Sequence, residues 1–425
     1  MKKLYLIAVG IFCLAVSKGN DPDTVVLQSC LERITEKSTI IRQRQIAGNI
    51  AEYKVRNLST NWYPSVGVNA QALYNSETIE FSDLLQNYPG EIPSLPPDQY
   101  KIWAEINQQI FDGGITKTLK DIERKNYEGS ILQNDAEIHA LQSQVSQVFF
   151  ALIQVQNSSQ IYKSSLELLR ARKDAVRSGV NNGVLQADNL LAMEAGEIST
   201  MQKITGLRML KKQLIKTLSI LTDTLFTENS VFVVPQLPLS DENKVRPEIM
   251  MFGNQSENLE LNGKLVAKGN LPKVFAFSQL AYGRPGYNML SRDFHTFYTI
   301  GAGMKWNFLN YGDNKRQLKI LESQKEIVDI RKKTFNDQIQ IQIETQQVLI
   351  EKYDSLIQHD LKILDLRKNI AQISLSRLNN GIITSSDYLE DMNAELQARL
   401  QLESHLILKR QAEYDRVMIQ GKLIY

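Results

Sequence analysis

The sequence has few cysteines, few prolines and almost no excess charge of either sign. Its 425 residues include 2 Cys and 11 Pro, and 49 lysines and arginines face 47 aspartates and glutamates. The net charge of +2 lacks the clustered basic excess that nucleic-acid binding requires, so we expect no nucleic-acid partner. A charged fraction of 23% argues against a helical membrane protein with many spans and also against a disordered chain.

The N terminus has the pattern of a secretory signal peptide, which we predict over residues 1–17. Lys2 and Lys3 precede a short apolar run at residues 4–16, and the small residue Ser17 follows it. The thirteen residues of this run are too few for a transmembrane helix, which needs roughly 20. The sequence therefore predicts an exported protein.

The two cysteines give no covalent link within the mature chain. Cys13 lies inside the predicted signal peptide, and the bulky Phe12 stands where a lipidated cysteine requires a small residue. We therefore expect no lipidation. Cleavage would leave Cys30 as the one remaining cysteine, which excludes an intramolecular disulfide even in an oxidising compartment.

Proline is missing from residues 98–234 and 286–425. Because helix interiors exclude proline, both regions are free to form very long helices. Glycine is also rare there: residues 313–380 contain none, and residues 115–178 contain only Gly129. At 1.5 Å per residue each stretch would form a rod roughly 95–100 Å long.

Apolar residues in both rods recur mainly at spacings of 3 and 4, which is a heptad seam. The first seam comprises Ile138, Leu141, Val145, Val148, Leu152, Val155, Tyr162, Leu166, Leu169 and Val176. The second comprises Ile339, Ile343, Ile350, Tyr353, Ile357, Leu361, Leu364, Ala371, Leu375 and Leu378. A soluble dimeric coiled coil and a wall of packed helical hairpins both fit this pattern.

The two halves of the chain resemble one another, which indicates an internal two-fold repeat. The matching landmarks are Pro64 with Pro272 at an offset of 208, residues 110–114 with 308–312 at 198, and residues 181–185 with 379–383 at 198. A longer proline-rich loop at residues 75–99 of the first half accounts for the difference in offset.

Four segments alternate apolar and polar residues with period 2, which predicts β-strands. They lie at about residues 65–75, 100–111, 273–282 and 297–308, and each has the length of a tilted transmembrane strand. All three tryptophans, Trp62, Trp103 and Trp306, lie in or beside these segments, and membrane interfaces favour aromatic residues. The alternative is a soluble hairpin with one buried face. Four strands cannot close a barrel, so strands that crossed a membrane would require two, three or four copies of the chain.

This duplicated order of strands, aromatic-glycine turn and helical hairpin resembles the outer-membrane efflux protein family, the TolC-like exit ducts of tripartite pumps and type I secretion systems. The resemblance covers about residues 24–421. It implies a mixed α and β fold in which four transmembrane strands per chain enter the shared twelve-strand barrel of a homotrimer in outer-membrane lipid. It also implies a large periplasmic barrel of coiled-coil-like hairpins, contacted by a periplasmic adaptor protein and an inner-membrane transporter.

On this basis we divide the mature chain into two repeats and a linker. Residues 18–226 form the first repeat, with a hairpin at about 114–226. Residues 270–425 form the second repeat, with a hairpin at about 313–420. We expect residues 227–269 to form an irregular collar with short helices.

The resemblance assigns the hairpin tips to two similar turns. Gly183 and Gly381 match the family's tip glycines and follow Asn182 and Asn380. A sharp turn between helices needs a positive φ, which Gly adopts freely and Asn tolerates. These residues therefore stop the helices, contact the adaptor, or do both.

Acidic residues follow the tips at the position where the family often lines its periplasmic aperture. Asp387 lies six residues after the tip glycine and Glu390 follows it, while the first half has Asp188 beside Asn189. A ring of carboxylates at a narrow pore would attract cations. The alternative is an acid that compensates the helix dipole.

Two apolar residues replace a polar lock. Some relatives close the aperture with a Tyr three residues before the tip glycine and an Arg two residues after it, whereas this chain has Leu378 and Ile383 there. We therefore expect closure, if it occurs, to use apolar packing.

The sequence predicts no catalytic, cofactor or metal site. The four histidines, His139, His295, His359 and His405, are scattered and are interpreted as solvated surface residues, and no HExxH motif is present. The predicted function is a passive outer-membrane channel for efflux of small molecules or type I secretion. The alternative is a periplasmic coiled-coil structural or adaptor protein without a barrel.

Overall fold

The computed structural model describes residues 24–78, 95–237, 245–288, 291–309 and 311–421. The predicted signal peptide and residues 79–94 of the predicted proline-rich loop lie outside this part of the chain. The helices are α1 (Leu27–Thr35), α2 (Ser38–Ser59), α3 (Ile115–Asn181), α4 (Ala187–Thr222), α5 (Pro247–Lys268), α6 (Asp313–Asn379) and α7 (Ser385–Ile419). The strands are β1 (Thr24–Val25), β2 (Ser65–Tyr74), β3 (Asp98–Phe111), β4 (Val231–Phe232), β5 (Lys273–Arg284) and β6 (His295–Lys305).

The order α2, β2, β3, α3, α4 recurs as α5, β5, β6, α6, α7. The equivalent helices have nearly equal lengths: α3 and α6 have 67 residues each, and α4 and α7 have 36 and 35. None of these four helices contains proline, so their backbone hydrogen-bond ladders can run uninterrupted. Among the described residues no helix combines the length and the apolar character needed to cross a membrane.

Helix α5 corrects the prediction for the linker. Where short helices in an irregular collar were expected, a single helix of 22 residues runs from Pro247 to Lys268. Its length equals that of α2, and it precedes β5 as α2 precedes β2. Proline at the first helical position and Gly269 after the last are the sequence signals that could have located it.

The chain divides into two compact units. One contains Ser38–Glu137 and Val245–Gln340, and the other contains the described parts of Met1–Lys37, Ile138–Lys244 and Ile341–Tyr425. Helices α3 and α6 contribute residues to both units.

The first of these units holds an antiparallel sheet of four strands in the order β2-β3-β5-β6. Ten residue pairs join β2 to β3 without a shift, and a register shift between Gln109 and Phe111 interrupts the pairing of β3 with β5. Among the described residues, β2 and β6 have no further strand partner, so each presents one edge with unpaired backbone groups.

The second unit has an apolar core around the middle of α3. Phe149 and Phe150 are fully buried, Phe149 packs edge-on against Phe232 of β4, and Phe150 packs against Tyr414 of α7. Helix α1 adds buried apolar residues together with Cys30. The ten predicted seam positions of α3 are all buried or half-buried.

The predicted seam of α6 is wrong at Leu361, which is 55% exposed while its neighbour Asp360 is buried. The buried positions Asp360 and Ala371 are eleven residues apart. Eleven residues in three turns correspond to about 3.67 residues per turn, which is closer to the 3.6 of a straight helix than the 3.5 of a heptad repeat is. A search for apolar residues alone could not identify Asp360 as a buried position, because its side chain is polar.

Candidate functional site

One face of the four-stranded sheet is apolar and exposed. Residues in one row across the strands share this face, since Val68 pairs with Ala104, Ala104 with Leu280, and Leu280 with Tyr298. The face also includes Val66, Ala70, Ala72, Tyr100, Ile102, Ile106, Tyr282, Ile300 and Met304. Val68 and Ile300 are 71% and 74% exposed. Contiguous apolar surface of this kind marks a site of interaction with lipid or protein.

The opposite face of the sheet is mainly polar and also carries aromatic side chains. Lys101 Nζ lies 3.0 Å from Gln279 Oε1 and 4.8 Å from the ring centre of Trp103. Phe277 lies directly over Gly301, where an added Cβ would approach its ring to 2.7 Å. Glycine in this strand therefore makes room for the ring.

The position of Trp103 corrects its predicted role. It pairs with Asn69 and Ala281 on the polar face, and its Nε1 donates to Glu105 Oε2 at 3.3 Å. It therefore does not lie on the apolar face, where an aromatic residue at a lipid interface was expected.

Trp62 and Trp306 both lie at the helix end of the sheet, beside its opposite edge strands β2 and β6. Trp62 precedes β2 and its carbonyl accepts a hydrogen bond from Gln108 near the end of β3. Trp306 follows β6, which ends at Lys305 before the predicted 308, and its Nε1 donates to the carbonyl of Asn270 at 2.9 Å. At the other end of the sheet Phe294 lies near Tyr100 and Tyr282. Aromatic residues therefore flank the apolar rows at both ends.

The two hairpin tips have the same backbone geometry. Gly183 and Gly381 have φ of 74° and 68°. Their amides donate to the carbonyls of Val180 and Leu378, each at 3.0 Å. The predicted tip residues Asn182, Gly183, Asn380 and Gly381 are all exposed. No described atom lies within 4 Å of a Cβ built at either glycine, so both turns face open space.

An apolar cluster lies just behind the tips. Leu378 is 3% exposed and belongs to a cluster with Leu169, Val176, Met193, Tyr388 and Met392. Ile383 packs against this cluster and is partly buried. The members come from α3, α4, α6 and α7, so the two hairpins of one chain pack together here.

Asp387 forms a capping box at the start of α7. Its amide donates to Thr384 Oγ1 at 3.2 Å, and its Oδ2 accepts from the Thr384 amide at 2.9 Å. These hydrogen bonds from Thr384 hold the pKa of Asp387 below its usual value of 3.8. The geometry thus fits the helix-start interpretation of this acid, while Glu390 and Asp188 are simply exposed.

Asn189 links the two hairpins, a role that the sequence did not reveal. Its Oδ1 accepts from the amide of Ser385 at 2.7 Å, and its Nδ2 donates to Asp188 Oδ1 at 3.0 Å. The carboxylate of Asp188 therefore orients the Asn189 amide, which caps α7 of the other hairpin. Asn is a preferred capping residue, but the helix that it caps is 196 residues away.

His405 is buried, which corrects its interpretation as a surface residue. Its Nδ1 lies 2.5 Å from Asp360 Oδ2, and its Nε2 lies 2.8 Å from Gln401 Nε2. The contact with Asp360 connects α7 with α6, and the contact with Gln401 lies within α7. Within the described ranges no group of three or more His, Cys, Asp or Glu residues is arranged to hold a metal ion.

We compared the chain with known proteins and found similarity to solved structures of outer-membrane channels. No protein-family model matches the sequence, and no curated protein matches it either. The CmeC outer membrane channel of Campylobacter jejuni is similar to this chain with a TM-score of 0.65 and 13% identity, over 93% of this chain and 86% of that one. The outer membrane protein VceC of Vibrio cholerae is similar with a TM-score of 0.66 and 13% identity, over 93% of this chain and 95% of that one. The open state of the MtrE outer membrane channel of Neisseria gonorrhoeae is similar with a TM-score of 0.67 and 15% identity, over 93% of this chain and 89% of that one.

The chain has the fold of these outer-membrane channels. The resemblance proposed from the sequence is thereby confirmed at the level of the fold. In this outer-membrane channel fold, the features that the sequence identified are the four strands, the two glycine turns and the apolar residues behind them. The features that it missed are α5, the Asn189 cap and the buried pair of Asp360 and His405.

Proposed function

We propose that this chain forms a passive exit duct in the cell outer membrane, for efflux of small molecules or type I secretion. The observation that carries the proposal is the exposed apolar face of the sheet, with Trp62 and Trp306 at one end and Tyr100, Tyr282 and Phe294 at the other. Transmembrane barrels have an apolar outer band between two aromatic girdles. The polar face with Lys101 and Gln279 would then line the lumen.

The duct would be a homotrimer with twelve strands in outer-membrane lipid. Edge strands cannot remain unpaired in lipid, so β2 of one copy would pair with β6 of the next. Helix α6 supports association as well, because four apolar residues on it are at least 40% exposed and recur at spacings of 3, 4 and 3. They are Ile363, Leu366, Ile370 and Ile373.

The hairpin tips would reach into the periplasm and meet the partners. Both turns, at Asn182-Gly183 and Asn380-Gly381, are exposed and have open space around them, as a docking surface for a periplasmic adaptor requires. An energised inner-membrane transporter would supply the driving force, and the duct itself would perform no catalytic step. Asp387, Glu390 and Asp188 would line the aperture, and the cluster around Leu378 and Ile383 would determine its packing.

A periplasmic coiled-coil protein without a barrel is less well supported. Such a protein would bury the apolar face of its sheet or lack it, whereas here Val68 and Ile300 are largely exposed. The proposal therefore rests on the sheet, and its test addresses the same surface.

The experiment compares two adjacent substitutions on opposite faces of β2. Val68→Lys places a charge on the apolar face, where insertion near the bilayer midplane costs about 2–4 kcal/mol. Asn69→Lys places the same charge on the polar face and serves as the control. We expect the control to yield heat-modifiable oligomers that require detergent for extraction and conduct ions in planar bilayers, and Val68→Lys to reduce their yield strongly. A wild-type protein that is extracted without detergent as a monomer would contradict the proposal.

A further inference from the structure

A basic pocket lies where α3, α4 and the segment before β4 meet. Its volume is about 550 Å³, within the range of small-molecule sites. The charged residues that line it are Lys163 on α3, Arg208 and Lys211 on α4, and Glu228 on the following segment. Three cationic groups and one carboxylate thus surround one cavity, and the formal balance is +2.

Two of the cationic groups, Lys163 and Lys211, lie close enough for one charge to affect the other. Burial lowers the pKa of Lys211, and the nearby charge of Lys163 lowers it further. Lys211 Nζ is held in place by the carbonyls of Glu228 at 2.9 Å and Ser230 at 3.3 Å. Among the described residues neither Lys163 nor Arg208 forms an ion pair, and Glu228 is the one carboxylate among the lining residues, so a net positive charge remains in the pocket.

The sequence of α4 adds to this charge. From Ile198 to Thr222 the helix contains five lysines and arginines and no aspartate or glutamate. Within the pocket, Ser159, Gln160 and Asn229 add neutral hydrogen-bonding groups, and Ile204 and Leu207 add apolar surface. This combination suits a ligand with several oxygen acceptors.

We propose that this pocket binds a small anion with two or more negative charges, such as a phosphate or a polycarboxylate. The balance of +2 favours a divalent ligand over a monovalent one. Lys163 and Arg208 would contact its oxygens directly, and Lys211 would contact it while remaining attached to the segment before β4. Binding would therefore join that segment to both helices of the first hairpin.

The test is isothermal titration calorimetry on the full-length assembled protein in detergent, at constant ionic strength and in a buffer free of other polyvalent anions. The probes are inorganic phosphate, citrate and acetate. We expect phosphate or citrate to bind and acetate to bind at least tenfold more weakly. The variant Lys163→Gln with Arg208→Gln should bind at least tenfold more weakly than the wild type.

A matched control removes two charges from the same helix outside the pocket. Lys203 and Lys216 are exposed on α4 and do not line the cavity, so Lys203→Gln with Lys216→Gln should change the affinity less than twofold. Glu228→Gln should strengthen binding severalfold because it removes the one negative charge. The proposal is overturned if the wild type binds neither polyvalent anion, or if the control loses as much affinity as the pocket variant.

Discussion

His405 Nδ1 lies 2.5 Å from Asp360 Oδ2, and the two side chains are 11% and 10% exposed. The pair joins α7 to α6 over 45 residues of sequence. Tyr353 lies beside the imidazole, with ring centres 5.6 Å apart. A polar pair at this depth is satisfied only while both partners are present.

Removing one partner of this pair should destabilise the protein. His405→Ala leaves the buried Asp360 side chain without its partner, and a buried polar group left unsatisfied costs about 1–3 kcal/mol. Helix content followed by circular dichroism during heating should show a clearly lower midpoint. His359→Ala is the matched control, because His359 is exposed one residue before Asp360. Equal midpoints for the two variants would contradict the structural role of the pair.

Loss of the Asn189 amide should loosen the start of α7. Asn189→Ala removes the oxygen that accepts from the Ser385 amide, and the loss of such a cap costs about 0.5–2 kcal/mol. Hydrogen exchange measured by mass spectrometry should become faster in peptides covering residues 385–390. Asn182→Ala, at an exposed tip position, should leave these peptides unchanged. Unaltered exchange in the Asn189 variant would show that the cap does not hold the two hairpins together.

Asp415 should make stability depend on pH near neutrality. Burial raises the pKa of Asp415 from 3.8 to about 6. Folding therefore favours the protonated acid, so its stabilising contribution is full below pH 3.8 and is lost as the pH rises through 6. Asp415→Asn should raise the unfolding midpoint at pH 7.5, by an amount equivalent to at most about 3 kcal/mol.

Two comparisons check the prediction for Asp415. At a pH below 3.8 the Asn variant and the wild type should unfold together, because both carry a neutral side chain. Asp365→Asn, which changes an exposed acid of α6, should have little effect at any pH. An Asn variant that is less stable at pH 7.5 would be inconsistent with a raised pKa.

The acids after the second tip should bind cations if they line an aperture. Asp387→Ala with Glu390→Ala should weaken the block of single-channel current by divalent and trivalent cations, most clearly at low ionic strength because salt screens the carboxylates. The pKa of Asp387 lies below 3.8, so its stabilising contribution to the cap is present above that pH and is lost as the pH falls further. Unchanged block in a properly assembled double variant would reduce both acids to helix-start residues.

The sequence revealed those features of the fold that depend on local pattern. Period-2 alternation located the strands because each has one apolar face, and Gly183 and Gly381 located the turns because a positive φ favours glycine. The same alternation places Trp103 on the polar face, because it lies between Ile102 and Ala104 of the apolar face; the sequence-based prediction counted Trp103 among the interface residues without applying this rule. It also missed Asp360, because its burial depends on a histidine of another helix.

The buried Cys30 is a natural probe for the detachment of α1 from the protein. It is 1% exposed among the apolar residues of α1, and burial raises the pKa of its thiol to about 11. Because the thiolate is the reactive form of cysteine, alkylating reagents should leave Cys30 unmodified as long as α1 remains packed. The rate of its alkylation would then report how often α1 detaches, without any engineered label.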